Sequence, residues 1–194
     1  MEKNRIEAFS DGVLAIIITI MVLDLKVPQS ANVSVLKPLL PVFLTYVLSF
    51  IYLGIYWNNH HHLLKAARKV NAGMMWANLH LLFWLSLFPF VTGWMGENHF
   101  TTAPTAVYGA VLLMAAIAYY ILQSLIVASQ DCDSRLARAF GKDWKGKLSP
   151  VLYAIGIATA FLRPWISCVI YAGVALLWLI PDRRIERALN GREN

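Results

Sequence analysis

Charged residues and cysteines are both scarce in this chain of 194 residues. Only 14% of the residues are charged and 58% are hydrophobic, whereas soluble domains average about 25% charged and about 45–50% apolar residues. The two cysteines, Cys132 and Cys168, give neither a disulfide framework nor metal-site spacing, so we interpret both as reduced. The composition excludes an ordinary soluble domain and indicates a protein that buries most of its surface in lipid.

Motifs of catalysis and of modular organisation are missing too. Neither Gly-x-Ser-x-Gly nor His-Glu-x-x-His occurs, and no internal repeat or Pro/Ser-rich linker divides the chain. A haem protein with two histidine ligands would need His60–His62 and His80 at matching depths, and a tight turn between them disfavours this. Three consecutive histidines also point in different directions on a helix and cannot all bind one metal. We predict one domain over residues 1–194, with no enzyme activity, metal or cofactor.

Six apolar segments predict the fold. A membrane-spanning helix needs about 20 residues, and the first four segments are long enough. The last two are short and separated only by Arg163 and Pro164; we predict that they also cross, because a small mismatch with the bilayer costs little, although a re-entrant pair is the alternative. The predicted fold is an all-α membrane protein with six transmembrane helices, at residues 9–27, 38–57, 73–96, 104–129, 148–162 and 165–181.

The placement of the basic residues predicts the orientation. If both termini are cytoplasmic, only Lys26, Lys37 and Arg163 of the 17 lysines and arginines lie outside. Such asymmetry follows the positive-inside rule. It accounts for the net charge of +6 without a nucleic-acid partner, so we predict a multi-pass protein of the cell membrane with both termini cytoplasmic.

The first apolar segment carries a stripe of large aliphatic residues. Ile16, Ile20 and Leu23 are spaced i, i+4 and i+7 and share one helical face, with Thr19 beside it. In a single helix this stripe is ordinary lipid or helix contact. In a symmetric oligomer it would form apolar rings around a pore that closes by dewetting, and the Thr19 hydroxyls would offer oxygen ligands to a cation.

Two polar residues precede this stripe. Ser10 and Asp11 stand where a helix N-cap is expected, and Arg5 could pair with Asp11 if the chain turns between them. The alternative interpretation is functional, because an ionisable residue at the mouth of a membrane span is costly. Its negative charge would favour cations there.

The segment from Arg5 to Leu23 resembles the first pore helix of the transmembrane protein 175 family, the lysosomal potassium channels and their prokaryotic relatives. The resemblance rests on Phe9-Ser10-Asp11, with Arg5 before it and Ile-Ile-x-Thr, starting at Ile16, after it. It implies a homotetramer whose first helices line a central pore. It further implies that Ile16 forms the narrowest constriction, that Thr19 contributes to selectivity, and that two further apolar rings stand at Ile20 and Leu23. The Thr-Val-Gly-Tyr-Gly filter of ordinary potassium channels is absent, as in that family.

The resemblance also implies a polar network around Ser10 and Asp11. We expect at least one of His60 and His61 to approach one of these two residues. The full predicted network consists of Arg5, Ser10, Asp11, Trp57, Asn58, His60, His61 and His80.

These observations favour a potassium-selective cation channel, with the potassium ion as the permeant species. A proton-coupled secondary transporter that uses Asp11 and membrane-embedded histidines is the alternative. It would require helices broken near the midplane, for which Pro89 and Gly109 are weak candidates.

Overall fold

The computed structural model of the chain describes residues 3–67, 70–129 and 144–179. Cys132 and the last two residues of the sixth predicted segment lie outside these ranges. Seven α-helices and one 3-10 helix occur within them: α1 (Lys3–Leu23), the 3-10 helix (Val33–Leu39), α2 (Leu40–Ala66), α3 (Ala72–Ser86), α4 (Phe88–Glu97), α5 (Thr102–Ala128), α6 (Trp144–Ala160) and α7 (Pro164–Leu179).

Four helical segments are long and apolar enough to cross a membrane: Lys3–Leu23, Val33–Lys65, Ala72–Glu97 and Thr102–Ala128. They correspond to the first four predicted segments, which confirms an all-α, multi-pass membrane protein. The fifth and sixth predicted segments are also helices, but α6 has 17 residues and α7 has 16. At a rise of about 1.5 Å per residue, each is shorter than a typical bilayer core.

Several predicted boundaries were wrong. The first helix spans Lys3–Leu23 rather than residues 9–27, the second continues past Trp57 to Ala66, and the helix of the fifth segment begins at Trp144 rather than at residue 148. The third segment is two helices that meet at Leu87, because Pro89 has no N–H to donate to Leu85 and its ring would crowd that carbonyl. Helix α5, in contrast, runs unbroken past Gly109.

A cluster of buried aromatic rings joins α2, α5, α6 and α7. The hydroxyl of Tyr52 donates to the carbonyl of Tyr171 at 2.6 Å, and the rings of Tyr108 and Tyr153 lie 5.9 and 6.4 Å from the Tyr171 ring. Glycine is required beside Tyr171, because a Cβ atom at Gly156 would overlap its ring. This cluster holds the second half of the chain against α2, whereas α1 packs mainly on α2, α3 and α4.

Hydroxyl groups also link helices inside the apolar interior. Ser49 of α2 lies 2.6 Å from the hydroxyl of Thr92 on α4 and 2.9 Å from that of Tyr108 on α5. All three residues are buried. Hydrogen bonds of this kind stabilise helix association in lipid, where apolar contact alone gives little preference for one helix over a lipid chain.

Candidate functional site

Helix α1 is divided into a face that packs on the rest of the chain and a face that does not. Leu14, Ile17 and Met21 are at most 4% exposed, because they contact the neighbouring helices. The opposite face, formed by Ile16, Thr19, Ile20 and Leu23, is exposed over two turns. We call these four residues the exposed face of α1. Ile16 is 60% exposed and Leu23 is 76% exposed, which leaves a large apolar surface with no partner among the described residues.

Thr19 presents an oxygen whose proton is already engaged. Its hydroxyl donates to the carbonyl of Ala15, one turn earlier, at 2.7 Å. A hydroxyl has one hydrogen and two lone pairs. The Thr19 oxygen therefore offers lone pairs, and no hydrogen, to a group that contacts the exposed face of α1.

On the packed face, a chain of hydrogen bonds runs from α1 through α3 to α2. The Ser10 hydroxyl donates to the carbonyl of Ile6 and accepts a hydrogen bond of 2.9 Å from the Asn78 amide nitrogen. The Asn78 amide oxygen lies 2.6 Å from His60 Nε2. Since an amide oxygen only accepts, His60 Nε2 carries the hydrogen. His60 Nδ1 has no partner among the described residues.

Two further contacts join α1 directly to α2. Trp57 Nε1 donates to a carboxylate oxygen of Asp11 at 3.0 Å, and His61 Nδ1 lies 2.7 Å from a carboxylate oxygen of Glu7. The Trp57 and His61 rings stack with their centroids 6.4 Å apart. Residues 7 and 11 lie one turn apart on α1, and residues 57 and 61 lie one turn apart on α2, so the two pairs form a short ladder between the helices.

Five of the eight predicted network residues take part in the contacts just described: Ser10, Asp11, Trp57, His60 and His61. His60 reaches Ser10 through Asn78 rather than directly. Arg5 and Asn58 are exposed, and His80 accepts a hydrogen bond of 2.9 Å from Trp84 on its own helix. The described contacts do not link these three to the others, so their place in the network stays a prediction.

The proposed capping role of Ser10 and Asp11 was wrong. Helix α1 begins at Lys3, so both residues lie in its second and third turns, where a cap has no function. Arg5 forms no ion pair within the described part of the chain. Positions 5 and 11 are six residues apart on a continuous helix and point in different directions, which removes the predicted turn between them.

Sequence reasoning missed both Glu7 and Asn78 as network residues. Glu7 was hidden because the helix was predicted to begin two residues after it. Asn78 carried a usable signal, since an amide in the middle of an apolar segment needs a partner. Only the packing of α3 against α1 identifies Ser10 as that partner.

An ion pair joins the loop after α1 to the end of α4. Lys26 Nζ lies 2.6 Å from a carboxylate oxygen of Glu97, at the end of α4. The hydrogen bond to Glu97 and its negative charge raise the pKa of Lys26 above its usual value of 10.5. Both side chains are more than half exposed, so this pair contributes little to stability. Within the described residues, no group of three His, Cys, Asp or Glu side chains is placed to hold a metal ion.

Comparisons with known proteins point to one family. The family model described as the endosomal/lysosomal potassium channel TMEM175 matches residues 5–89. The chain is 56% identical over 189 residues to a protein named as a potassium channel in Chryseobacterium sp. strain P1-3, covering 97% of this chain and 98% of the relative. It is 37% identical over 86 residues to the human endosomal/lysosomal proton channel TMEM175, covering 38% of this chain and 17% of the relative.

A solved structure has a similar fold. The crystal structure of a lysosomal potassium-selective channel TMEM175 homolog from Chamaesiphon minutus superposes with a TM-score of 0.80 at 29% identity. The superposition covers 92% of this chain and 97% of that one. The likeness therefore extends over α1 through α7 rather than over the first helices alone.

Proposed function

Since this chain belongs to the prokaryotic part of the TMEM175 potassium-channel family, we propose that it is a potassium-selective cation channel of the cell membrane. The family is one of ion channels and not of enzymes. In the proposed assembly, residues 1–194 form a single six-helix channel domain, and four copies place their α1 helices around a central pore. Both termini are cytoplasmic in this arrangement, as the distribution of basic residues favours.

The observation that carries the proposal is the exposed face of α1. A stripe containing Ile16, Ile20 and Leu23 has no partner among the described residues, although Leu14, Ile17 and Met21 on the opposite side of the same helix are buried. A symmetric assembly turns each stripe residue into a ring. Rings of isoleucine and leucine offer no ligands to an ion and exclude water when narrow, so they act as a hydrophobic constriction.

Selectivity needs oxygen ligands, which an apolar ring lacks. Thr19 supplies them in this proposal, because its hydroxyl proton is engaged by the Ala15 carbonyl and its lone pairs are left toward the axis. Four such oxygens in one layer would bind a partly dehydrated cation and repel an anion. Asp11, held by Trp57 at the start of the pore, would add the negative charge that raises the local cation concentration.

The reversal potential of purified protein in a planar bilayer tests the proposal, with potassium on one side and sodium on the other. A reversal potential far from zero, of the sign that makes potassium the more permeant ion, is expected, with currents far above transporter turnover. A zero potential would refute potassium selectivity. A further arm with symmetric potassium and a pH gradient measures proton conduction, the activity that the human relative's name states.

A proton-coupled secondary transporter remains the second candidate. The break between α3 and α4 at Leu87 is the observation in its favour, because such transporters build their sites from discontinuous helices. However, Leu85, Phe88 and Val91 around this break are buried apolar residues. Proton-driven uptake into liposomes without measurable current would favour the transporter.

A further inference from the structure

A small pocket lies between α2, α5, α6 and α7, and none of the residues that line it belongs to α1. We call it the tyrosine pocket. The centre of a water-sized group can move within about 40 Å³ of this pocket. That is room for roughly two or three such groups. Its walls include five tyrosines: Tyr52, Tyr56, Tyr119, Tyr120 and Tyr153.

Two buried polar side chains in this pocket have no partner. Gln123 is 7% exposed and Tyr56 is 8% exposed, and neither side chain forms a hydrogen bond within the described part of the protein. By contrast, Ser149, which also lines the pocket, accepts a hydrogen bond of 2.8 Å from Trp178. An unpaired amide or hydroxyl inside a membrane protein is costly. The amide of Gln123 and the hydroxyl of Tyr56 therefore define a place where a hydrogen-bonding group from outside the chain fits.

The walls favour a neutral group over an ion. None of the described residues that line the pocket is charged. Its aromatic rings pack against one another, with Tyr56 and Tyr119 centroids 6.1 Å apart and those of Tyr52 and Tyr153 6.2 Å apart. They therefore do not form an open cage around a cation, and no acidic side chain would balance its charge.

The pocket opens on an apolar part of the α5 surface. Tyr120 lines the pocket and is 53% exposed. Its exposed neighbours on α5, Ile117 and Ile121, are apolar. The enclosed space accepts a polar head but not a whole amphiphile, so an attached chain would lie along this apolar surface. We propose that the tyrosine pocket binds the hydroxyl head of a neutral amphiphile, such as a long-chain alcohol, that enters from the bilayer and hydrogen-bonds to Gln123 and Tyr56.

Photolabelling of the purified full-length protein in liposomes tests the site without reference to ion conduction. The probe is an octanol that carries a diazirine, and the labelled peptides are located by mass spectrometry. We expect labelling of the α5 stretch around Tyr119 and Tyr120, with competition by 1-octanol but not by octane. A matched diazirine octane without the hydroxyl should label the same stretch about thirtyfold less, the effect of losing two hydrogen bonds of about 1 kcal/mol each.

Variants separate the pocket from general lipid contact. Gln123→Leu should reduce labelling about fivefold without loss of folding, because it removes an amide that no described residue holds. Ser124→Leu is the matched control, since Ser124 is exposed on the next position of α5, and it should leave labelling unchanged. Tyr56→Phe removes only the second hydrogen-bonding hydroxyl and should also reduce labelling. It provides the test if the Gln123 variant misfolds. Equal labelling by both probes, or labelling that neither Gln123→Leu nor Tyr56→Phe reduces, would overturn the proposal, as would absence of label in the pocket.

Discussion

Replacement of Asn78 by leucine should destabilise the protein far more than the same replacement at another asparagine. Asn78 is 3% exposed and donates to Ser10 while it accepts from His60. Leucine has the same number of side-chain heavy atoms, branched at the same carbon, but offers neither group. Asn58 is the matched control, because it is exposed on α2 and forms none of these contacts.

The magnitude follows from the groups that lose their partners. Hydrogen bonds between membrane helices average about 0.6 kcal/mol each, so the two bonds of Asn78 contribute about 1.2 kcal/mol. His60 Nε2–H is then left buried without an acceptor, which adds about 1–3 kcal/mol. Ser10 keeps its bond to the Ile6 carbonyl and adds little. We expect Asn78→Leu to lower the free energy of unfolding by about 2–4 kcal/mol.

Reversible unfolding in mixed micelles, monitored by circular dichroism, measures this difference for Asn78→Leu and Asn58→Leu. A double-mutant cycle with Ser10→Ala adds a second test, because the cost of the serine variant should shrink when Asn78 is already leucine. Equal free energies for the two leucine variants, or strictly additive effects of Asn78→Leu and Ser10→Ala, would refute the chain of hydrogen bonds through α3.

Other predictions concern the proposed pore and the packing around Tyr171. Ile16→Asn should raise the current by wetting the constriction, and an unchanged single-channel conductance would place the pore elsewhere. Thr19→Val keeps the shape but removes the oxygen, so it should lower the K⁺/Na⁺ permeability ratio measured from reversal potentials; an unaltered ratio would exclude Thr19 from selectivity. Gly156→Ala should cost at least about 2 kcal/mol in the same unfolding assay, because the added methyl overlaps Tyr171. Gly173→Ala, where nothing lies within 4 Å, should leave stability nearly unchanged, and similar values for the two would contradict this packing.

Periodicity predicted much of α1, because one face of a helix must be apolar wherever it meets lipid or another helix. The spacing of Ile16, Ile20 and Leu23 defined a single face, and the structure leaves all three exposed together. Their proposed function as pore rings depends on neighbouring copies of the chain. A single sequence carries no information on which apolar face meets a copy and which meets lipid.

Partner choice among polar residues was much harder to predict. The pairing of Glu7 with His61 depends on how far α1 and α2 are shifted along each other, and the side chains of the whole interface determine that shift. Propensity also failed at helix ends, since the polar residues from Asn58 to His62 look like a terminus but continue α2 to Ala66. They are tolerated there because His60 and His61 find partners on α3 and α1.

The packing of α1 mainly on α2, α3 and α4 gives the two halves of the chain different evolutionary freedom. Every residue of the ladder and of the hydrogen-bond chain, from Glu7 to Asn78, falls within the stretch 5–89 that the family model matches. A change at one of these positions needs a matching change on another helix. Helices α5 to α7 instead fill volume around Tyr171, and cores of that kind accept many combinations of apolar residues of equal total size. Relatives of this chain can therefore diverge widely in these later helices while α1 to α3, which lie almost entirely within the matched stretch, keep their shared pattern.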